Sequence, residues 1–146
     1  MSAELAKTIQ TKIKKHHEEF ENLKSKQTKH VESRQSLEAQ LMENRMVAKT
    51  LKGLKEDAAV FKKIGPVMVK QSVADASDTV SKRMEFIESQ MLRANEVMES
   101  TDKQMVEHNE AIKSLQAEFQ AAIQAAMKGP GPEGQGAPGQ VGEVAV

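Results

Sequence analysis

The sequence predicts a mainly α fold: a long antiparallel two-helix coiled coil with one β-hairpin at the bend, the hairpins of several subunits contributing to a shared sheet or inter-subunit β-barrel. Two heptad-patterned segments of almost equal length, 5–51 and 73–126, flank one short β-type stretch, 58–70. The segments also carry opposite charge, net +3 over residues 1–50 and net −5 over residues 72–127. Opposite signs favour pairing of the two segments with each other over self-pairing, although each screened surface pair is worth only about 0.3–0.5 kcal/mol.

The first helix, about 3–53, is read at alternating steps of four and three. Its seam is Ile9, Ile13, His16, Phe20, Leu23, Gln27, His30, Arg34, Leu37, Leu41, Asn44, Ala48 and Leu51. One frame held for about six heptads exceeds the three or four that separate a coiled coil from an ordinary amphipathic helix. Gly53 after Lys52 supplies a stop signal.

Next comes the stretch at about 58–70, where two β-branched, apolar runs surround Gly65-Pro66. That pattern predicts a β-hairpin with a slightly longer loop. A two-stranded hairpin is at best marginally stable in water, and its edges expose unpaired backbone groups. Val60, Phe61, Ile64, Val67, Met68 and Val69 are therefore expected to be covered by other subunits, because two helices have no spare face for the task.

The second helix, about 72–127, opens on Ser72 with Asp75 three residues on, a capped start in which Asp75 and Asp78 also suit the positive end of the helix. Its seam is Val80, Met84, Ile87, Met91, Ala94, Met98, Thr101, Met105, His108, Ile112, Leu115, Phe119, Ala122 and Ala126. With the fold-back centred near Ile64, facing residues have numbers summing to about 128. Leu37 then faces Met91, Leu41 faces Ile87, Phe20 faces His108, polar Gln27 meets Thr101, and bulky Arg34 meets small Ala94.

Residues 1–127 thus read as one coiled-coil and hairpin domain. Residues 128–146 form a tail that holds six of the eight Gly and three of the four Pro, a composition expected to be disordered. With 3% aromatic residues, no Trp, no Tyr and 29% charged residues, burial must come from a narrow seam rather than a thick core.

Several functions are disfavoured on chemical grounds. The chain has no Cys, so neither a disulfide scaffold nor a thiolate metal site is available, and the default compartment is the cytoplasm or the nucleus, of which the cytoplasm is expected. No apolar run approaches the roughly 18 residues of a membrane span, and no signal peptide is expected. Basic and acidic residues number 21 each, so no overall field draws the chain to nucleic acid or to a membrane. His16-His17-Glu18-Glu19 invites a metal reading, but adjacent helical residues do not point together, and no metal is expected there. Neither a phosphate loop nor a pocket for a catalytic triad is present in the pattern, so no cofactor and no enzymatic activity are expected.

The segments Ser33–Asn44, Val60–Gln71 and Val80–Met84, together with the order of elements, resemble the β-class subunits of the prefoldin family. The likeness spans roughly residues 5–125 and is densest over 33–91; the Gly/Pro-rich tail has no counterpart in it. The resemblance implies a hexamer of two α-class and four β-class subunits whose hairpins form a barrel platform carrying six coiled coils. It further implies an ATP-independent holdase that captures non-native proteins of the actin and tubulin class and delivers them to the cytosolic group II chaperonin. The single hairpin matches the β class.

Such a holdase needs exposed apolar groups, and the ends of the helices remote from the hairpin supply them: Leu5, Ile9 and Ile13 on one, Leu115, Phe119 and Ile123 on the other. Each large apolar group buried against a client contributes about 1.5–3 kcal/mol, so several arms acting together hold what one arm cannot. About 48 residues at roughly 1.5 Å each give an arm of about 70 Å. Two other readings stand beside the chaperone: a coiled-coil scaffold or tether without client binding, and a nucleic-acid-binding arm, which the charge balance disfavours.

Overall fold

The computed structural model describes residues 3–128, in the order α1 (Ala3–Lys52), β1 (Val60–Ile64), β2 (Val67–Gln71) and α2 (Val73–Lys128). Most of the tail assigned to disorder lies outside the described residues. Two long helices joined through one antiparallel hairpin are the mainly α fold that the heptads and the central β-type stretch predict.

Burial on α1 follows the heptad track closely. Every seam residue from Ile9 to Leu51 is buried or half-buried, and between Ala3 and Lys52 only Ala6 and Glu19 join them from off the track. On α2 the track from Val80 to Ala122 behaves the same way, with two differences at its ends. Ala76, one turn before the predicted start, is buried and packs with Leu51 and Val80, while Ala48, Val60 and Met84 close around them. Ala126 is exposed instead of seamed.

The chain divides into two compact units. One comprises residues 25–102 and contains the hairpin together with Leu41, Leu51, Ala76, Val80 and Ile87, the buried apolar residues of that unit. Its helices run antiparallel: Gln27 bonds Met98, Arg34 bonds Asn95, and Arg45 pairs with Glu88. The other unit pairs residues 3–24 with 103–128, buries Ile9 and Ile112, and carries a half-buried polar group at His16, Glu19 and His108.

Local signals account for the element ends. Ser72 caps α2, its Oγ accepting the Asp75 N–H at 3.0 Å while its carbonyl accepts the Ala76 N–H at 3.0 Å. At the end of α1 the Gly53 and Leu54 N–H groups close back on the carbonyls of Thr50 and Leu51 at 3.2 Å, tightening the last turn and satisfying carbonyls that an α-helix leaves open.

The hairpin is tighter than expected. Ile64 pairs directly with Val67, so Gly65-Pro66 forms a two-residue loop rather than a longer one. Gly65 adopts φ +57°, the positive value required at the first central position of a type II′ turn, and Pro66 follows with the negative φ that its ring imposes. The twist of such a turn matches that of the strands, which is why two residues suffice.

Candidate interaction site

The register Val60↔Gln71, Phe61↔Lys70, Lys62↔Val69, Lys63↔Met68 and Ile64↔Val67 sorts the hairpin into two faces, because directly opposed residues share a face and neighbours along a strand alternate. One face carries Val60, Lys62, Ile64, Val67, Val69 and Gln71. Its helix-proximal end is half-covered, with Val60 packed on the Leu51, Ala76 and Val80 cluster. Ile64, Val67 and Val69 on the same face remain exposed. The opposite face carries Phe61, Lys63, Met68 and Lys70; Phe61 is 53% exposed and Met68 60%.

Among the described residues the sheet has two strands, so each has one edge paired and one open. An open edge beside exposed β-branched and aromatic side chains is a template for strand addition. The six residues singled out from the sequence as an oligomer interface are thus brought together on one small sheet, five of them exposed and Val60 anchoring the sheet to the helices. The lysines at 62, 63 and 70 alternate with them and keep the free hairpin hydrated.

The six residues proposed to hold clients belong to the other unit and are not equivalent. Leu5 is 46% exposed, Ile13, Leu115, Phe119 and Ile123 are half-buried, and Ile9 is only 3% exposed. Leu5 offers its surface directly, whereas Ile9 can meet another chain only where α1 and α2 part. Met127, at 81% exposure, adds apolar surface at the same end of α2.

Polar layers interrupt the hairpin-bearing unit. Gln27 Nε2 donates to the Met98 carbonyl at 3.0 Å and to Asp102 Oδ1 at 2.7 Å, while Gln27 Oε1 is buried without a hydrogen-bond partner. Thr101, expected opposite Gln27, instead turns its hydroxyl back to the Val97 carbonyl at 2.9 Å. Arg34 Nε donates to Asn95 Oδ1 at 2.6 Å beside Ala94. Outside the seam, the Asp78 carboxylate bonds the exposed Lys82 ammonium at 3.0 Å and raises its pKa above the usual lysine value.

Sequence reasoning passed over a further set of exposed apolar residues in this unit, Met42, Met46 and Phe86. A signal for them existed: Met42 stands beside seam residue Leu41 and Phe86 beside Ile87, one position too far round the helix to be buried. They widen the apolar surface of the unit that carries the hairpin.

Comparison with known proteins adds to this geometry. Residues 14–119 match the family described as prefoldin subunit. Among similar proteins, prefoldin subunit 6 of Homo sapiens is 36% identical over 127 residues, covering 87% of this chain and 98% of the relative. That of Mus musculus is 39% identical with the same coverage, and that of Arabidopsis thaliana is 33% identical over 120 residues, covering 82% and 93%. Among solved structures, the prefoldin beta subunit from Thermococcus strain KS-1 superposes with a TM-score of 0.52 at 22% identity, covering 75% of this chain and 90% of that one, a likeness of fold.

Proposed function

We infer what the molecule does from one premise: this chain belongs to the prefoldin subunit family. It is accordingly a chaperone subunit of prefoldin type, in a family that assembles from several subunits and is not a class of enzymes. Beyond that, we propose that it is one β-class subunit of a hetero-hexameric, ATP-independent holdase, that its helix ends capture non-native proteins of the actin and tubulin class, and that the complex passes them to the group II chaperonin in the cytoplasm. No helix among the described residues is long and apolar enough to cross a membrane.

The observation that carries this reading is the hairpin. Five large apolar side chains stand exposed on two strands whose outer edges are open. Each is about half covered in the free chain, so covering the rest in an assembly contributes roughly half of the about 1.5–3 kcal/mol that full burial is worth, and the sum favours association. A sheet extended by neighbouring hairpins removes the open edges and the exposed side chains at once. A spacer rod would gain nothing from either feature.

Client capture is assigned to Leu5, Ile9, Ile13, Leu115, Phe119 and Ile123. Leu5 provides ready surface, and the half-buried members are available wherever the helix ends fray, as helix ends do. The test is co-expression with α-class and β-class partner subunits, followed by suppression of aggregation of an unfolded client. The triple change Leu5→Ser, Phe119→Ser and Ile123→Ser is expected to leave hexamer mass unchanged and to abolish most of the protection. Protection that persists unchanged moves the client site elsewhere, and a wild-type chain that stays monomeric with its partners present leaves the scaffold reading standing.

A further inference from the structure

The unit formed by residues 3–24 and 103–128 contains a group of side chains that neither the assembly nor client capture uses. His16 and Glu19 lie one turn apart on α1, the spacing that puts two side chains on one face, and His108 reaches them from α2. The two histidine Nδ1 atoms are 2.9 Å apart, and His108 Nδ1 lies 3.3 Å from Glu19 Oε2. The rings approach at 5.2 Å between centroids, tilted by 50°. One ligand atom from each residue falls within 4.8 Å of the others, and all three residues are half-buried.

We propose that His16, Glu19 and His108 bind a divalent transition-metal ion of the zinc type across the two helices of this unit. In a tetrahedral zinc centre with bonds of about 2.0–2.1 Å, neighbouring ligand atoms stand about 3.3 Å apart. The Glu19–His108 separation already has that value, the two histidine nitrogens would open by a few tenths of an ångström, and the His16–Glu19 pair stands within 4.8 Å. Two imidazoles and one carboxylate are the donor set of zinc, copper and nickel rather than of calcium or magnesium, which take oxygen.

The proton count is simple. With both rings neutral, a hydrogen bond between two Nδ1 atoms requires one to carry the hydrogen and the other to accept it. A metal bound to both Nδ1 atoms requires each ring to carry its proton on Nε2, so one proton shifts within one ring and none is released. Glu19 contributes a single negative charge toward the ion. Lys12 and Lys15 line the same groove with Ala111, Ser114 and Leu115, and their charge keeps the affinity below that of a closed four-ligand structural site. Three protein ligands leave a fourth coordination position for water.

The inference departs from the sequence expectation, which weighed His16 only against its neighbours in the chain. His17 and Glu18 are exposed and take no part. The missing ligand comes from a residue 92 positions away, brought opposite by the pairing of the two helices.

The experiment uses the full 146-residue chain without a histidine tag, with zinc titrated calorimetrically at neutral pH and cobalt substituted for its visible d–d absorption. One equivalent is expected to bind, with a tetrahedral cobalt spectrum and a higher melting temperature. Removing a second-shell group from a metal site costs about tenfold or more in affinity, so deleting a ligand by His16→Ala, His108→Ala or Glu19→Gln costs at least that, while His17→Ala changes nothing. His108→Gln keeps a polar side chain in the seam and carries the test if His108→Ala lowers the helicity of the metal-free chain. Absence of zinc uptake overturns the proposal, as does uptake that survives loss of His16 and His108 or is abolished by loss of His17.

Discussion

The seam and the hairpin use apolar residues in opposite ways. Along α1 and α2, the aliphatic side chains that recur every three to four residues on the seam are buried or half-buried up to Ala122, while those off it, such as Met46 and Leu92, stay exposed. In β1 and β2 the apolar residues stand on both faces of a two-stranded sheet, and five of the six are exposed. The chain supplies its own partner wherever the helical period holds and none where the period changes to two. Folding of the single chain is therefore invested in the seam, and association with other chains in the hairpin.

This contrast makes the two regions separable by mutation. Leu51 packs with Ala76 and Val80, so Leu51→Ala is expected to destabilise the free chain by about 2–4 kcal/mol in urea unfolding. A loss below about 1 kcal/mol would mean that the site collapses easily and the seam is looser than its burial implies. Gln27→Leu is expected to be nearly neutral. It removes a buried, unpartnered Oε1 but also the two hydrogen bonds that Nε2 donates to the Met98 carbonyl and to Asp102 Oδ1, so the stability read from the urea midpoint should move by less than about 1 kcal/mol. The same change should slow amide exchange around residues 24–30 if the polar layer loosens the helices there.

The hairpin should answer differently. Phe61→Ser with Met68→Ser touches side chains that are mostly exposed in the free chain, so its stability should move by less than about 0.5 kcal/mol. Recovery of the chain in a complex with partner subunits, measured by native mass, should nonetheless fall to background. A large loss of free-chain stability would erase the distinction between the two regions. The smallest effect is expected at Lys82, whose ammonium is held by the exposed Asp78 carboxylate. A raised lysine pKa stabilises the fold below the unfolded value of 10.5 and ceases to do so as pH climbs through the higher folded value. Lys82→Met should accordingly leave the melting temperature at neutral pH within experimental scatter, since exposed pairs are strongly screened.

Much of the molecule was legible in the residue order because helical pairing is periodic. The positions buried on α1 are nearly those picked out at steps of four and three, and the cap at Ser72 follows from the Ser72–Asp75 spacing. What escaped lies where a local rule meets a choice of geometry. The loop closed with two residues because Gly65 took a positive φ, and the hydrogen-bond partners within the Gln27 layer, Met98 and Asp102 for Gln27 and Val97 for Thr101, follow from rotamers. Of the candidate client residues, the heptads put Ile9, Ile13, Leu115 and Phe119 in the seam with Leu5 and Ile123 beside it, and the packing leaves Leu5 open and hides Ile9 in keeping with that.

The amino-acid order by itself determined the helix pair, the hairpin between them and the residues that line the seam, because heptad spacing, turn chemistry and capping each act within a few residues along the chain. Tertiary structure alone decided which polar atoms converge. His108 meets His16 and Glu19, a convergence that heptad arithmetic does not name, because ångström-scale axial offset and rotamer choice are fixed by how two helices interlock and leave no trace in a one-dimensional pattern.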